Sequence, residues 1–192
     1  VLFRSNFFND ALDFKKGADT GHRLGPARAT ASGLRSSHQV LRAGMLVLGI
    51  ACLPALPLIH ARGWPILAIG LPSLYFSFGY TGGPWPLAYR GLGELFVLLF
   101  FGLIAVTGAV YVNTGKWLAP ALLLGVQVGL YSTALIAINN LRDRAEDATT
   151  GKRTLAVRWG ATFARWEIAA TSLLPPLLGL IGWPWKAVAG YP

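Results

Sequence analysis

Acidic side chains are scarce in this chain: eight Asp and Glu stand against seventeen Lys and Arg among 192 residues. Charged residues of both signs make up 13%, where a soluble domain carries about a quarter. With 54% hydrophobic residues and a mean hydropathy of +0.50, that shortage excludes an ordinary soluble domain. A soluble all-helical core would also need polar faces recurring every 3.6 residues, and the apolar runs have few. Cysteine is nearly absent. Cys52, alone and inside an apolar run, excludes both a disulfide framework and a thiolate metal site, and reads as a small buried apolar side chain. Neither a signal peptide, a low-complexity tract nor a convincing repeat is found.

Long uncharged runs take the place of charge, at 43–59, 63–89, 95–115, 117–141 and 168–185. Most reach or approach the roughly 20 residues that carry a helix across a bilayer. The expectation is an all-α, multi-pass transmembrane bundle in a single domain, 1–192, with spans near 43–61, 64–80, 93–112, 118–138 and 168–185. The run 63–89 is too long for one crossing, so "YTGGPWPLAY" is read as loop. Pro65, Pro84, Pro86 and Pro120 mark turns, while Pro72, Pro175 and Pro176 fall within runs and should kink or break helices. Trp64, Trp85, Trp117 and Trp183 at run ends read as interfacial anchors. The chain opens on Val, with only eight residues before Asn9, and reads as a fragment truncated at both ends.

Basic residues are unevenly distributed. Twelve of the seventeen lie in two loops, 15–42 and 142–165, and the positive-inside rule puts both at the cytoplasmic face of the cell membrane. Counting agrees, because the four runs between those loops return the chain to the same side. The charge therefore serves topology and an anionic substrate, and nucleic acid is not a partner.

Six of the eight acids gather in those same regions, in "NDALDFKKGADT" at 9–20 and "NNLRDRAEDATTGKRT" at 139–154. Asn9 and Asp13 are four apart, as are Asp143 and Asp147, a spacing that aligns oxygens on one helix face; Asn139 extends the second row. Either cluster alone also fits a solvated helix end. Facing each other, they form an oxygen-rich cage suited to Mg²⁺ bound together with a substrate phosphate. Lys15, Lys16, Arg23, Arg28, Lys152 and Arg153 lie close enough in sequence to converge on the same anion. An isoprenoid diphosphate, a charged head on a hydrocarbon tail, matches both the cage and the apolar helices.

"NDALDFKKGADT", "RLGPARATASG", "YRGLGELFVLLFFG" and "NNLRDRAEDATTGKRTLAVRWG" resemble the UbiA-type membrane prenyltransferases, in particular the branch that prenylates 1,4-dihydroxy-2-naphthoate in menaquinone synthesis. The resemblance runs in order over about residues 6–170 and implies part of a nine-helix bundle with a central cavity. It also implies Mg²⁺ and diphosphate bound by two aspartate-rich motifs, matching Asn9, Asp10 and Asp13 with Asp143 and Asp147. Catalytic weight then falls on Asp13, Asp143 and Asp147, while Asn140 and Asp19 match the branch pattern as substrate-binding positions. The implied reaction moves a polyprenyl group from its diphosphate to the naphthoate ring, releasing pyrophosphate and carbon dioxide. A related branch acting on 4-hydroxybenzoate is the alternative.

Two departures stand out. Other branches follow a Tyr after the fourth helix with Lys-Arg, whereas Tyr80, a possible substrate-binding residue, is followed by "TGGPWPLAYR". Glu94 stands where the branch tends to carry Asp. His22 could reach an aromatic substrate but reads better as a solvated loop histidine. A transporter would carry ionisable groups at mid-membrane, and a scaffold would leave the paired clusters unexplained.

Overall fold

The structure, a computed structural model, describes residues 2–17 and 28–182. Among these residues there is no strand, and the chain forms a multi-pass bundle of helices. Helices α1 (Leu2–Lys15), α2 (Ser37–Ile50), α3 (Ala55–Arg62) and α4 (Trp64–Gly79) come first. Next, α5 (Gly93–Val97), a π-helical segment (Leu98–Ile104) and α6 (Ala105–Thr114) form one rod. The chain continues with α7 (Ala119–Arg142), α8 (Arg144–Thr149) and α9 (Leu155–Gly182).

Among the described residues three stretches are long and apolar enough to cross a membrane: Ser37–Arg62, Gly93–Thr114 and Ala119–Arg142, with mean hydropathies of 1.9, 2.5 and 1.9. Large apolar side chains such as Leu46, Leu71, Leu122 and Leu173 stay on the outer surface. The interior is built instead from small residues. Ala121, Gly125, Gly129, Thr133 and Ala137 recur every four positions along α7 and are all buried. A Cβ on Gly102 would lie 2.4 Å from the Gly129 Cα, so α7 and the π-helical segment meet backbone to backbone.

Pro65, Pro84, Pro86 and Pro120 fall at helix starts or in loop, as expected, whereas Pro72, Pro175 and Pro176 break no helix. Helix α4 runs through Pro72, and α9 runs through Pro175 and Pro176. Pro175 is fully buried, and Gln127 Nε2 of α7 donates to its carbonyl at 2.7 Å, so a neighbouring helix takes up a polar group there. The breaks fall elsewhere. Pro54 interrupts the first crossing between α2 and α3, and Gly160, with φ 85°, kinks α9. The left-handed backbone at 160 is a conformation that glycine adopts without a Cβ penalty.

The stretch 80–92 is loop, as expected, apart from a short 3₁₀ turn at Leu87–Tyr89. At the opposite end of the bundle Arg62 donates from Nε to the Val112 carbonyl at 2.8 Å, and the Tyr111 hydroxyl donates to the Arg62 carbonyl at 3.0 Å. That tie fastens α3 to α6 and leaves the loop end free to build a site.

Candidate active site

Helix α1 delivers the first acidic motif to the end of the bundle. Asn9 Oδ1 accepts from the Thr81 hydroxyl. Asp13, 5% exposed, accepts on Oδ1 from the Tyr89 hydroxyl at 2.9 Å. Both donors come from the 80–92 loop. Asp10 is held differently: its carboxylate accepts from the backbone N–H groups of Ala29 and Thr30 at 3.1 and 3.2 Å, and from the Thr30 hydroxyl. Those bonds fasten α1 to the chain entering α2.

The second motif straddles a helix joint. Asp143, with φ −89° and ψ 5°, separates α7 from α8, yet backbone bonds from Asp143 to Asn139 and from Asp147 to Asp143, each 2.9 Å, continue across it. Both Asp143 oxygens accept from Arg142, from Nε at 2.6 Å and from an Nη at 2.7 Å. Asp147, 3% exposed, has Lys152 Nζ 3.5 Å from its Oδ1, and its Oδ2 is buried with no hydrogen-bond partner among the described residues. Burial raises the Asp147 carboxyl from 3.8 to about 6; Lys152 opposes the shift, and the charges of Asp143 and Asp13 add to it. The two motifs therefore feel each other.

Tyr89 joins them. Its hydroxyl holds Asp13, Lys16 Nζ lies 4.0 Å from its ring centroid, and Lys152 Nζ lies 6.0 Å from the same centroid. Lys16 also donates to the Thr81 carbonyl at 2.6 Å. Partial burial lowers the Lys16 pKa against the pull of Asp13, and Lys152 lowers it further. The loop itself is pinned by the chain after the second motif: Arg153 N–H donates to the Tyr89 carbonyl at 3.2 Å, and Arg158 donates to the Arg90 carbonyl at 2.8 Å.

Beneath this polar cluster runs a cavity of about 870 Å³. Asn9, Asp13, Arg28, Asn140, Arg142 and Lys152 line its polar end. Its other end is lined by Ile66, Phe96, Phe100, Ile104 and Val112. Phe96 stacks on Phe100 at 4.4 Å between centroids and lies 5.3 Å from the Tyr80 ring.

Of the positions expected from sequence, the structure thus gathers Asn9, Asp10, Asp13, Lys16, Arg28, Tyr80, Asn140, Asp143, Asp147 and Lys152 at one end of the bundle. Lys15 and Arg153 are exposed there and do not line the cavity; Arg153 contributes through its backbone. Asp19, His22 and Arg23 lie outside the described residues. Sequence reasoning missed Thr81, Tyr89, Phe96, Phe100 and Arg142. For Thr81 and Tyr89 a signal existed, since two crossings after the first basic loop their loop must return to the same side.

The donor set of the two motifs is all oxygen, which fits a hard divalent cation. Three carboxylates close enough to influence one another, one with a buried unpartnered oxygen, concentrate negative charge that a cation would offset. Among the described residues no three His, Cys, Asp or Glu side chains converge tightly enough to ligate a metal alone. A cation here would therefore draw on Asn9, water or a substrate oxygen as well.

Comparison with known proteins agrees with this architecture. The model of the UbiA prenyltransferase family matches residues 1–192. The chain is 39% identical over 168 residues to 1,4-dihydroxy-2-naphthoate octaprenyltransferase of Haemophilus influenzae, covering 82% of this chain and 53% of that protein. The Escherichia coli protein of the same name is 38% identical over 168 residues, covering 84% and 54%. Human UbiA prenyltransferase domain-containing protein 1 is 31% identical over 164 residues, covering 83% and 47%. No solved structure matches the chain. The chain spans about half the length of these curated relatives. With the family model matched from end to end and both acidic motifs converging over an apolar cavity, the chain belongs to the UbiA prenyltransferase family.

Proposed function

We propose that the protein transfers a polyprenyl group from its diphosphate to 1,4-dihydroxy-2-naphthoate, with release of pyrophosphate and carbon dioxide, as a step of menaquinone synthesis. The observation that carries this reading is the two-ended cavity, cationic and oxygen-rich at one end and aromatic, then aliphatic, at the other. Such a space suits a diphosphate head and a hydrocarbon tail together. The names of the bacterial relatives supply the acceptor.

In this reading Lys16, Lys152 and Arg28 bind the diphosphate, and Asn9, Asp13, Asp143 and Asp147 hold Mg²⁺. Bound there, Mg²⁺ would neutralise the diphosphate and make it a better leaving group. Asp10 serves as the anchor that fixes α1 to the following chain. Tyr89 sets Asp13 and spaces the two lysines, so that both ammonium groups meet one anion. As the prenyl carbon gains cation character, the faces of Phe96 and Tyr80 stabilise it and the apolar walls exclude water. Asn140 lies on the acceptor side. The active end faces the cytoplasm across the inner membrane, and the lysines and arginines around it supply the inward positive charge.

The test is product analysis with full-length protein in lipid, offered polyprenyl diphosphate with equal dihydroxynaphthoate and 4-hydroxybenzoate. Prenylated naphthoquinol is expected, abolished by chelation and restored by Mg²⁺. Prenylated hydroxybenzoate as the main product would reassign the acceptor, and full turnover in chelator would remove the metal.

A further inference from the structure

Two of the acids lie outside the motifs, Glu94 and Glu167. Each has an Oε2 that is buried without a hydrogen-bond partner among the described residues. Glu94 alone of the two lines the cavity, and it is 4% exposed. Its Oε1 accepts from Asn140 Nδ2 at 2.7 Å, which ties α5 to α7. Tyr80 stands at the same level: a Cβ on Gly93 would lie 2.8 Å from the Tyr80 hydroxyl oxygen, so the glycine makes room for that phenol beside Glu94. Tyr80, Phe96 and Phe100 together form an aromatic wall.

A helix tie needs no charge here, since a buried amide pair would serve. A carboxylate oxygen left unpaired in an apolar bundle is costly unless a donor arrives. The donor that suits a site beside an aromatic wall is neutral and carried on a flat ring. We propose that Glu94 binds the aromatic acceptor, its carboxylate receiving a ring hydroxyl, with Asn140 holding the carboxylate in position and Tyr80 and Phe96 flanking the ring. This rests on the aromatic prenyl-transfer reading above.

A hydroxyl that donates to a carboxylate releases electron density into its ring, which strengthens the ring carbon as a nucleophile. The ring carbon's electron pair forms the bond to the prenyl carbon, and the prenyl C–O bond breaks, its pair leaving with the diphosphate. Carbon dioxide departs, and the pair from the broken ring-to-carboxylate bond restores aromaticity. The hydroxyl proton stays on the ring oxygen, and Glu94 ends unchanged.

Steady-state kinetics of full-length protein test the assignment. Glu94→Gln is expected to raise KM for dihydroxynaphthoate on the order of 10-fold or more while KM for polyprenyl diphosphate stays within about 3-fold, and Glu94→Asp should be intermediate. Asn140→Ala should show the same split more weakly. A measurement that needs no variant compares the two monomethyl ethers of the naphthoate with the parent acceptor: wild-type protein should lose on the order of 10- to 100-fold in kcat/KM with at least one ether. Glu94→Gln should discriminate less between that ether and the parent. An unchanged acceptor KM, a parallel rise in both KM values, or use of both ethers by the wild type as efficiently as the parent would overturn the assignment. If Glu94→Gln fails to fold, the ethers decide. Wild-type protein that prenylates no aromatic acid would bring down the prenyl-transfer reading itself, whereas normal wild-type turnover with an indifferent Glu94→Gln sinks this inference alone.

Discussion

On α1, Asn9 and Asp13 share an unbroken helix, whereas in the second acidic segment Asp143 falls at the joint between α7 and α8. The spacing is the same and the surroundings are not. The first segment is held from outside, by the Thr81 and Tyr89 hydroxyls and by the Ala29 and Thr30 backbone. The second is held from within, Asp143 by the adjacent Arg142 and Asp147 by Lys152 five residues on. A four-residue spacing therefore fixes a direction along a helix and leaves open whether the oxygens stay available to a ligand.

Neutralising one acid from each segment should have the largest effect. Asp13→Asn and Asp147→Asn should each lower prenyl transfer on the order of 100-fold or more, measured with Mg²⁺ in full-length protein. Near-normal turnover in both would dissolve the shared site.

Tyr89 is the next test, since it is the contact between the two sides. Removing the ring in Tyr89→Ala should raise KM for polyprenyl diphosphate about 10-fold, and Tyr89→Phe, which keeps the ring and loses the bond to Asp13, about 3-fold. Equal effects would mean that the ring does not order the lysines.

Within the first segment, Asp10→Ala should cost stability rather than chemistry. Losing an anchor that leaves buried N–H groups unpaired costs about 1–3 kcal/mol, visible as a lower melting temperature in detergent, with kcat changed much less than by Asp13→Asn. A kcat loss as large as that of Asp13→Asn would return Asp10 to the metal site.

The pH response tests the burial of Asp147. Its pKa in the folded state, about 6, lies above its ordinary 3.8, so between those values the folded protein holds a proton that the unfolded chain has released. Metal-free protein should therefore gain stability from this group as pH falls from about 6 toward 4 and lose it as pH rises through 6. Denaturation of wild type and Asp147→Asn at pH 5 and pH 7 reads the difference, and identical pH responses would remove the shift. The smallest effect is expected at Arg90, whose guanidinium lies 3.9 Å from the Trp85 ring centroid. Arg90→Ala should change KM for the diphosphate less than about 2-fold.

Much of this architecture was legible beforehand. Hydropathy separates membrane from loop because burying charge in lipid is costly, and the runs around 93–112 and 118–138 coincide with helices long and apolar enough to cross a membrane, Gly93–Thr114 and Ala119–Arg142. Counting crossings brought Asp13 and Asp147 to one end before any coordinates did. The prolines inside apolar runs do not break their helices, because their effect depends on neighbours: Gln127 reaches the Pro175 carbonyl, while Gly160, inconspicuous in sequence, takes the kink.

Local pattern thus determined membrane character, the common side of the basic loops and the spacing of the acids, since each follows from solvent preference or helix geometry within a short stretch. The tertiary structure alone decided that Asp10 anchors a loop, that Tyr89 stands between lysines from two distant segments, and that Glu94 meets Asn140 inside a cavity. Asp10 and its partner Ala29 are 19 residues apart in the chain and Glu94 and Asn140 are 46, and only the packing of whole helices, backbone to backbone at Gly102 and Gly129, sets which side chains meet across such separations.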